Sequence, residues 1–172
     1  MNGQTNKAEQ LRNAVKKIQK AKYAIAFTGA GISVESGIPP FRGANGIWNR
    51  HDPIFLEIEY FARKPLESWK KIKEVFYDTF IKAEPNDAHY FLSRLEKKAR
   101  LEAIITQNID NLHQMSGSKN VYELHGNSKT LVCTECASEY DLSFSDLNFL
   151  PRTCFVCKGI LKPKIVFFNE GI

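Results

Sequence analysis

The chain has 172 residues, 43% of them hydrophobic, and a formal net charge of +5, enough for one ordinary core or one core with a small insert. No apolar run approaches the ~18 residues that a membrane span needs, and the N-terminus, with Asn2, Gln4, Thr5, Asn6 and Lys7, lacks the apolar segment of a secretory signal, so the sequence predicts no membrane partner and a cytoplasmic place (the nucleus for a eukaryotic chain). The basic residues are scattered, and their densest group, Lys16, Lys17, Lys20 and Lys22, falls on the wet face of a first helix, which argues against a direct nucleic-acid partner.

In chain order, Asn6 and Glu9 have capping-box spacing, and Ala8, Leu11, Val15 and Ile18 follow at three- to four-residue intervals, predicting a helix. Tyr23–Phe27 is a short apolar run broken at once by Thr28-Gly29-Ala30-Gly31, predicting a buried strand and a tight turn. Residues 45–81 read as helical, with Trp48, Phe55, Phe61, Trp69, Phe76 and Phe80 as core rings. A further helix begins near Asn86, and Leu101–Thr106 and Val121–Leu124 read as a second and a third strand. Lys164–Phe168 reads as a fourth. Strands alternating with helices predict an α/β fold with a parallel, doubly wound sheet.

Between the third and fourth strands lie the chain's four cysteines, Cys133, Cys136, Cys154 and Cys157. Seventeen residues separate the two C-x2-C pairs, the spacing of a zinc ribbon whose two turns present four thiolates to one tetrahedral ion. Two disulfides are the alternative, disfavoured in a reducing compartment. A four-cysteine site is closed, so its zinc is structural. Tyr140, Leu142, Phe144 and Leu147 supply the ribbon's apolar filling, and Glu135, Glu139, Asp141 and Asp146 outnumber Arg152 and Lys158, the wrong sign for nucleic acid.

In a doubly wound sheet, ligands bind beyond the carboxyl ends of the strands. Those ends carry Thr28-Gly29-Ala30-Gly31-Ile32-Ser33, then Gln107-Asn108-Ile109-Asp110, then His125-Gly126, and all three sets should line one crevice. The Gly29–Gly31 turn lets backbone N–H groups approach a phosphate, although a third glycine at dehydrogenase spacing and the acidic residue about twenty positions on are absent. Gln107, Asn108 and Asp110 supply more polar groups than one helix cap requires. His125 is either a satisfied core histidine or a general base. His51, His89 and His113 have no such setting and read as structural.

Gly29-Ala-Gly-Ile-Ser-Val-Glu-Ser-Gly-Ile-Pro-Pro-Phe-Arg-Gly43 closely resembles the cofactor-binding loop of the sirtuins. Thr106-Gln-Asn-Ile-Asp-Asn-Leu-His113, Glu123-Leu-His-Gly126, the paired cysteine doublets and Ile165-Val-Phe-Phe-Asn-Glu170 resemble that family's later motifs, in the same order. The resemblance implies a Rossmann-like NAD-binding domain (1–44, 84–129 and 162–172), a helical module (45–83) and a zinc ribbon (130–161). It implies NAD-dependent removal of an acetyl or other short acyl group from protein lysine, with NAD consumed as co-substrate and nicotinamide and O-acetyl-ADP-ribose released, so the partner is an acetyl-lysine protein or peptide. Carried over by position, Gly29, Ala30, Gly31 and Ser33 would hold the phosphates, and Ile38, Phe41 and Arg42 would shape the nicotinamide and ribose region. Gln107, Asn108, Ile109 and Asp110 would bind nicotinamide and its ribose, and His125 would be the base. Val166, Phe168, Asn169 and Glu170 would flank the peptide, pairing with it backbone to backbone. Some relatives recognise acidic acyl groups with a Tyr-x-x-Arg pair after a tryptophan resembling Trp69; Lys70-Lys-Ile-Lys-Glu-Val75 stands there instead, which favours neutral acyl groups. Tyr60 and Arg63 have that spacing but precede Pro65.

The chain departs from the family pattern at Pro40, where a carboxylate and an N–H are replaced, and at Asn169, where glycine is usual. Only about four of about six strands can be found, and the family's later segments do not follow. Taken as complete, such a chain would bind NAD weakly and be poorly soluble. Two other readings stay open: a mono-ADP-ribosyltransferase or NAD hydrolase using the same pocket, and an inactive zinc-containing interaction module.

Overall fold

The computed structural model describes residues 2–143 and 147–171; Phe144 and Asp146, assigned above to the ribbon, lie outside them. Helix α1 (Asn2–Lys20) starts ahead of Asn6, so the Asn6 and Glu9 pair lies within the helix and caps nothing. Leu11 and Val15 on its apolar stripe are exposed.

Strands β1 (Ile25–Thr28), β2 (Ala103–Thr106) and β3 (Val121–Glu123) form a parallel sheet in that order. Ile25 pairs with Ala103 and Thr28 with Thr106, while Ile104 pairs with Val121 and Thr106 with Glu123. The register is in phase, so all three strands end at one level. Unbroken apolar strands predict cover on both faces, but alternate residues divide here. Ile104 and Thr106 are buried, whereas Phe27 and Tyr122 on the other face are 62% and 63% exposed.

Helix α5 (Asp87–Lys97) opens where Asn86 predicts. The Asn86 side chain accepts from the Ala88 N–H at 3.0 Å and donates to Ile32 O at 2.7 Å and Ser36 Oγ at 3.0 Å. One cap therefore starts a helix and pins the 3-10 turn at Ala30–Ser36 that follows β1. Helix α6 (Leu112–Met115) follows the β2 end.

The helical module runs through α2 (Ile58–Arg63), then α3 (Pro65–Ile72), a π-helical turn at Lys73–Tyr77 and α4 (Asp78–Phe80). Pro65 suits a first helical position, where its missing N–H would have no partner. Trp69, Phe61, Tyr77 and Ile72 from this stretch are nearly inaccessible. They join Leu131, Cys133, Cys154 and Leu161 in one core. Trp69 Nε1 donates to Leu161 O at 2.8 Å and the Tyr77 hydroxyl to Ser128 O at 3.0 Å, so the module and the ribbon are held by both apolar burial and satisfied polar tips.

The fourth strand departs from expectation. The alternation predicts that Lys164–Phe168 returns to the parallel sheet, but β6 (Leu161–Ile165) pairs antiparallel with β4 (Gly126–Cys133), which also pairs with β5 (Glu139–Asp141). This second sheet spans 126–165 and overruns the expected ribbon bounds of 130 and 161. The reason is local: β4 leaves β3 through His125, and Gly126 turns with φ +74° directly onto Ile165. A Cβ at Gly126 would collide with the Lys164 carbonyl. We expect Gly126→Ala to cost about 3 kcal/mol or more, since a positive φ and a backbone clash act together. Chemical denaturation checks this, and an unchanged midpoint would contradict it.

Candidate active site

The three strand ends meet as the parallel sheet requires. Ser33, fully buried, donates to Asp110 Oδ2 at 2.6 Å and accepts from Asn108 Nδ2 at 3.1 Å. The Asp110 Oδ1 atom caps the Leu112 N–H at 3.0 Å, and the Asn108 N–H donates to Thr106 Oγ1 at 3.0 Å. Two residues expected beside the cofactor, Asn108 and Asp110, thus also build the floor on which Ser33 and its 3-10 turn rest.

Beyond this floor lies a cavity of about 570 Å³ lined by Ala30, Phe41, Arg42, Gln107, Ile109, His125, Val166 and Phe168, all singled out from sequence. A side pocket of about 20 Å³ shares Ala30, Phe41 and Ile109 and adds Ser33, Ile38, Asn108 and Asp110. Gly29, Gly31, Asn169 and Glu170 line neither. Sequence reading missed Pro40, Trp48, Leu56, Phe76, Ile165 and Phe167 as walls of the large cavity. Trp48 and Phe76 belong to an aromatic run that reads as core. The rings serve both purposes: Phe41 stacks on Trp48 with centroids 5.4 Å apart, and Trp48 meets Phe168 edge-on at 6.3 Å. Nothing in the spacing of aromatic residues distinguishes a core ring from a cavity wall.

His125 is exposed at the cavity, with Nδ1 3.0 Å from the Gln107 carbonyl oxygen. A carbonyl only accepts, so Nδ1 carries the proton and the neutral ring keeps its lone pair on Nε2. Gln107 thereby acts on His125 through its backbone.

Residues 165–168 form another wall of the large cavity. The Val166 N–H donates to His125 O at 3.0 Å, the Phe168 N–H to Leu56 O at 2.8 Å, and the Ile58 N–H to Phe168 O at 3.1 Å. The Phe168 N–H and carbonyl are thus both bonded to the helical module, which leaves the second lone pair of the carbonyl for pairing with a peptide. The Glu170 carboxylate turns inward to Lys162 at 3.0 Å. Asn169 takes the left-handed conformation, φ 63°, as its place at a usual glycine predicts. Pro40 leaves its carbonyl to accept from the Ile47 N–H at 2.8 Å, so the loop closes without the lost N–H.

The structural reading of His89 and His113 has a specific content. Both are buried, with ring centroids 4.9 Å apart, and His113 Nε2 lies 2.9 Å from Thr28 Oγ1 at the β1 end. Burial pushes the His113 pKa down to about 4, the His89 imidazole pushes the same way, and Asp110 opposes both. His89 is lowered too, chiefly by burial. A folded-state pKa below the unfolded value of about 6.5 means that stability is complete above that pH and lost as pH falls toward 4. We expect up to about 3 kcal/mol to disappear over that window. Urea unfolding at stepped pH checks it, with His113→Gln flattening the slope; equal slopes in the two proteins would refute the assignment.

The four cysteine Sγ atoms lie within 4.8 Å of one another, with Cys133–Cys157 and Cys136–Cys157 at 3.4 Å and Cys136–Cys154 at 3.6 Å. A tetrahedron with Zn–S bonds of about 2.3 Å has edges of about 3.8 Å, so the set fits zinc. The N–H groups of Glu135, Val156 and Gly159 point at Cys133, Cys154 and Cys157 sulfurs, each at 3.4 Å, as outer partners of thiolate ligands do. Ala137 and Lys158, one residue past each doublet, both have positive φ. The two turns are thus copies of one geometry.

Comparison with known proteins follows the same pattern. Residues 29–172 match the Sir2 family. The NAD-dependent protein deacetylase of Sulfurisphaera tokodaii is 48% identical over 154 residues, covering 87% of this chain and 61% of that protein. The one from Thermodesulfovibrio yellowstonii is 44% identical over 166 residues, covering 94% and 65%. This chain therefore spans less than two thirds of the length of these relatives. Among solved structures, a Sir2–p53 peptide–NAD+ complex superposes with a TM-score of 0.81 at 37% identity, covering 93% of this chain and 65% of that one. With the strand-end cluster, the cavity and the sulfur tetrahedron arranged on the matched residues, this chain belongs to the Sir2 family.

Proposed function

We propose that this chain supplies the acyl-lysine and nicotinamide side of an NAD-dependent protein-lysine deacetylase. The observation that carries the reading is the tautomer of His125, held by the Gln107 carbonyl on the wall of a cavity otherwise lined by Phe41, Trp48, Phe76 and Phe168. The sequence motifs and the similarity to NAD-dependent deacetylases support it.

The residues divide the work physically. The aromatic wall takes the apolar stem of an acyl-lysine and excludes water from it. Ser33, Asn108 and Asp110 hold one another and, with Gln107 and Ile109, would form the polar edge that meets nicotinamide and its ribose. Ala30 and Arg42 border the large cavity, where backbone and guanidinium suit the anionic part of NAD. NAD carries its own leaving group, so positioning does most of the work. The acyl oxygen forms a bond to the ribose carbon as the bond to nicotinamide breaks. His125 Nε2 takes the proton from a ribose hydroxyl, which then attacks the acyl carbon. One water enters, and lysine, nicotinamide and O-acetyl-ADP-ribose leave. Val166, Phe168 and Asn169 would meet the peptide backbone with the groups that the Val166–His125, Phe168–Leu56 and Ile58–Phe168 bonds leave over.

The acyl group is short and neutral. Arg42 is the only Lys, Arg, Asp or Glu among the cavity residues, and Tyr60 donates its hydroxyl to Glu67 at 3.0 Å, away from the cavity. The test is product mass after incubating the zinc-loaded protein with NAD and an acetyl-lysine peptide. Deacetylated peptide with an equal amount of O-acetyl-ADP-ribose is expected. Free ADP-ribose alone would make the protein an NAD hydrolase, ADP-ribosylated protein would make it a transferase, and no NAD consumption would leave a binding module.

A further inference from the structure

Lys162, in β6, is only 6% exposed although lysine is rarely buried. Its Nζ lies 2.9 Å from Ile165 O, 3.5 Å from Pro163 O and 3.0 Å from Glu170 Oε2, and 4.6 Å above the centre of the Phe167 ring. The same Glu170 oxygen accepts the Phe167 N–H at 2.9 Å, and the Glu170 N–H donates to Phe167 O at 3.2 Å. An ammonium is buried only where its protons find partners, and every partner here lies in residues 163–170.

That stretch carries the cavity wall. On one side it is tied to His125 through Val166, and on the other to the helical module through Phe168. Neither tie fixes the turn beyond Phe168, where Asn169 adopts its left-handed conformation. The Glu170 N–H to Phe167 O bond closes that turn, and the ion pair anchors it by joining Glu170 back to β6. In the β4–β6 ladder Lys162 pairs with Val132, and its neighbour Leu161 pairs with Cys133. The pair therefore connects the frame of the metal site to the cavity wall.

We propose that Lys162 and Glu170 form a latch that sets the backbone of residues 165–169 for an acyl-lysine peptide, with Glu170 acting through that backbone rather than by touching the peptide. Both are positioning residues, and the consequence for substrate rests on the deacetylase reading. Neutralising the lysine while keeping its apolar stem should loosen the segment and spare the nicotinamide side, which Ser33, Asn108 and Asp110 hold separately.

The test uses zinc-loaded protein and the variants Lys162→Met, Lys162→Arg and Glu170→Gln. Hydrogen exchange of a fragment covering 163–171 should quicken about tenfold in Lys162→Met and in Glu170→Gln, with Lys162→Arg close to the parent. In turnover, KM for an acetyl-lysine peptide should rise about tenfold in both variants while KM for NAD stays within about twofold, and arginine should restore the peptide KM. Unchanged exchange, or an equal rise in both KM values, overturns the latch. If Lys162→Met fails to fold, Glu170→Gln decides alone, because that residue is partly exposed and keeps its size. A parent chain that turns over no peptide defeats the deacetylase reading, and hydrogen exchange then upholds or overturns the latch without it.

Discussion

Replacing His125 with alanine should lower kcat for deacetylation by about 10²- to 10⁴-fold, the range for removing a positioned general base. KM for the acetyl-lysine peptide should change little, because the aromatic wall and segment 165–169 remain. The fold should persist as well: His125 is exposed, and its ring makes a single hydrogen bond among the described residues, to Gln107 O. What the variant loses is a proton acceptor whose lone pair was oriented by that carbonyl. Steady-state kinetics with parallel thermal melts separates the two effects. A variant retaining turnover within about threefold of the parent would remove His125 from the chemistry, and a collapsed melting temperature would make its role structural.

Stripping the metal should act on stability instead. Structural zinc sites contribute about 10–16 kcal/mol to folding in small modules, as much as the whole stability of a typical domain, about 5–15 kcal/mol. Two of the four ligands are part of the main core: Cys133 and Cys154 are 3% and 0% exposed and pack with Leu131, Leu161, Trp69 and Phe61. Removing the ion leaves close thiols that repel when ionised, and β4, β6 and the cavity wall that β6 leads into lose their frame. Chelation, or Cys154→Ser, should unfold the ribbon and expose Trp69, shifting its fluorescence to the red, and one equivalent of zinc should reverse the chelated case. A zinc-free protein, verified by metal analysis, that melts within a few degrees of the parent would contradict this account.

How far the sequence carried the reading differs from element to element. The capping at Asn86 and the end of β1 follow from local chemistry, since a side-chain oxygen two residues before an N–H or a short apolar run before glycine needs no distant partner. The failures come from distance. The Asn6 cap was overridden because helix α1 simply extends past it. The alternation sends the fourth strand to the wrong sheet because a run of four apolar residues satisfies either ladder, and the choice is made by Gly126 pairing with Ile165. Trp48 and Phe76 read as core and pack there, but their second part as cavity walls is hidden in the sequence, because an aromatic ring looks the same whether it faces a neighbour or a cavity.

The sequence by itself determined the metal chemistry and the set of polar groups at the strand ends. Four cysteines in two doublets define a ligand set whatever surrounds them, and a parallel sheet brings the ends of its strands together by construction. Only the tertiary structure decided how those groups are used. The tautomer of His125 depends on a carbonyl 18 residues away, at Gln107. The burial that depresses His113 depends on α5 and β1 as well as on its own helix. The role of Glu170 depends on Lys162 lying beneath it, 3.0 Å away. Each is a matter of which partner wins a hydrogen bond or a charge, and that competition is settled by three-dimensional proximity, which residue types and spacing constrain only when the partners share one element.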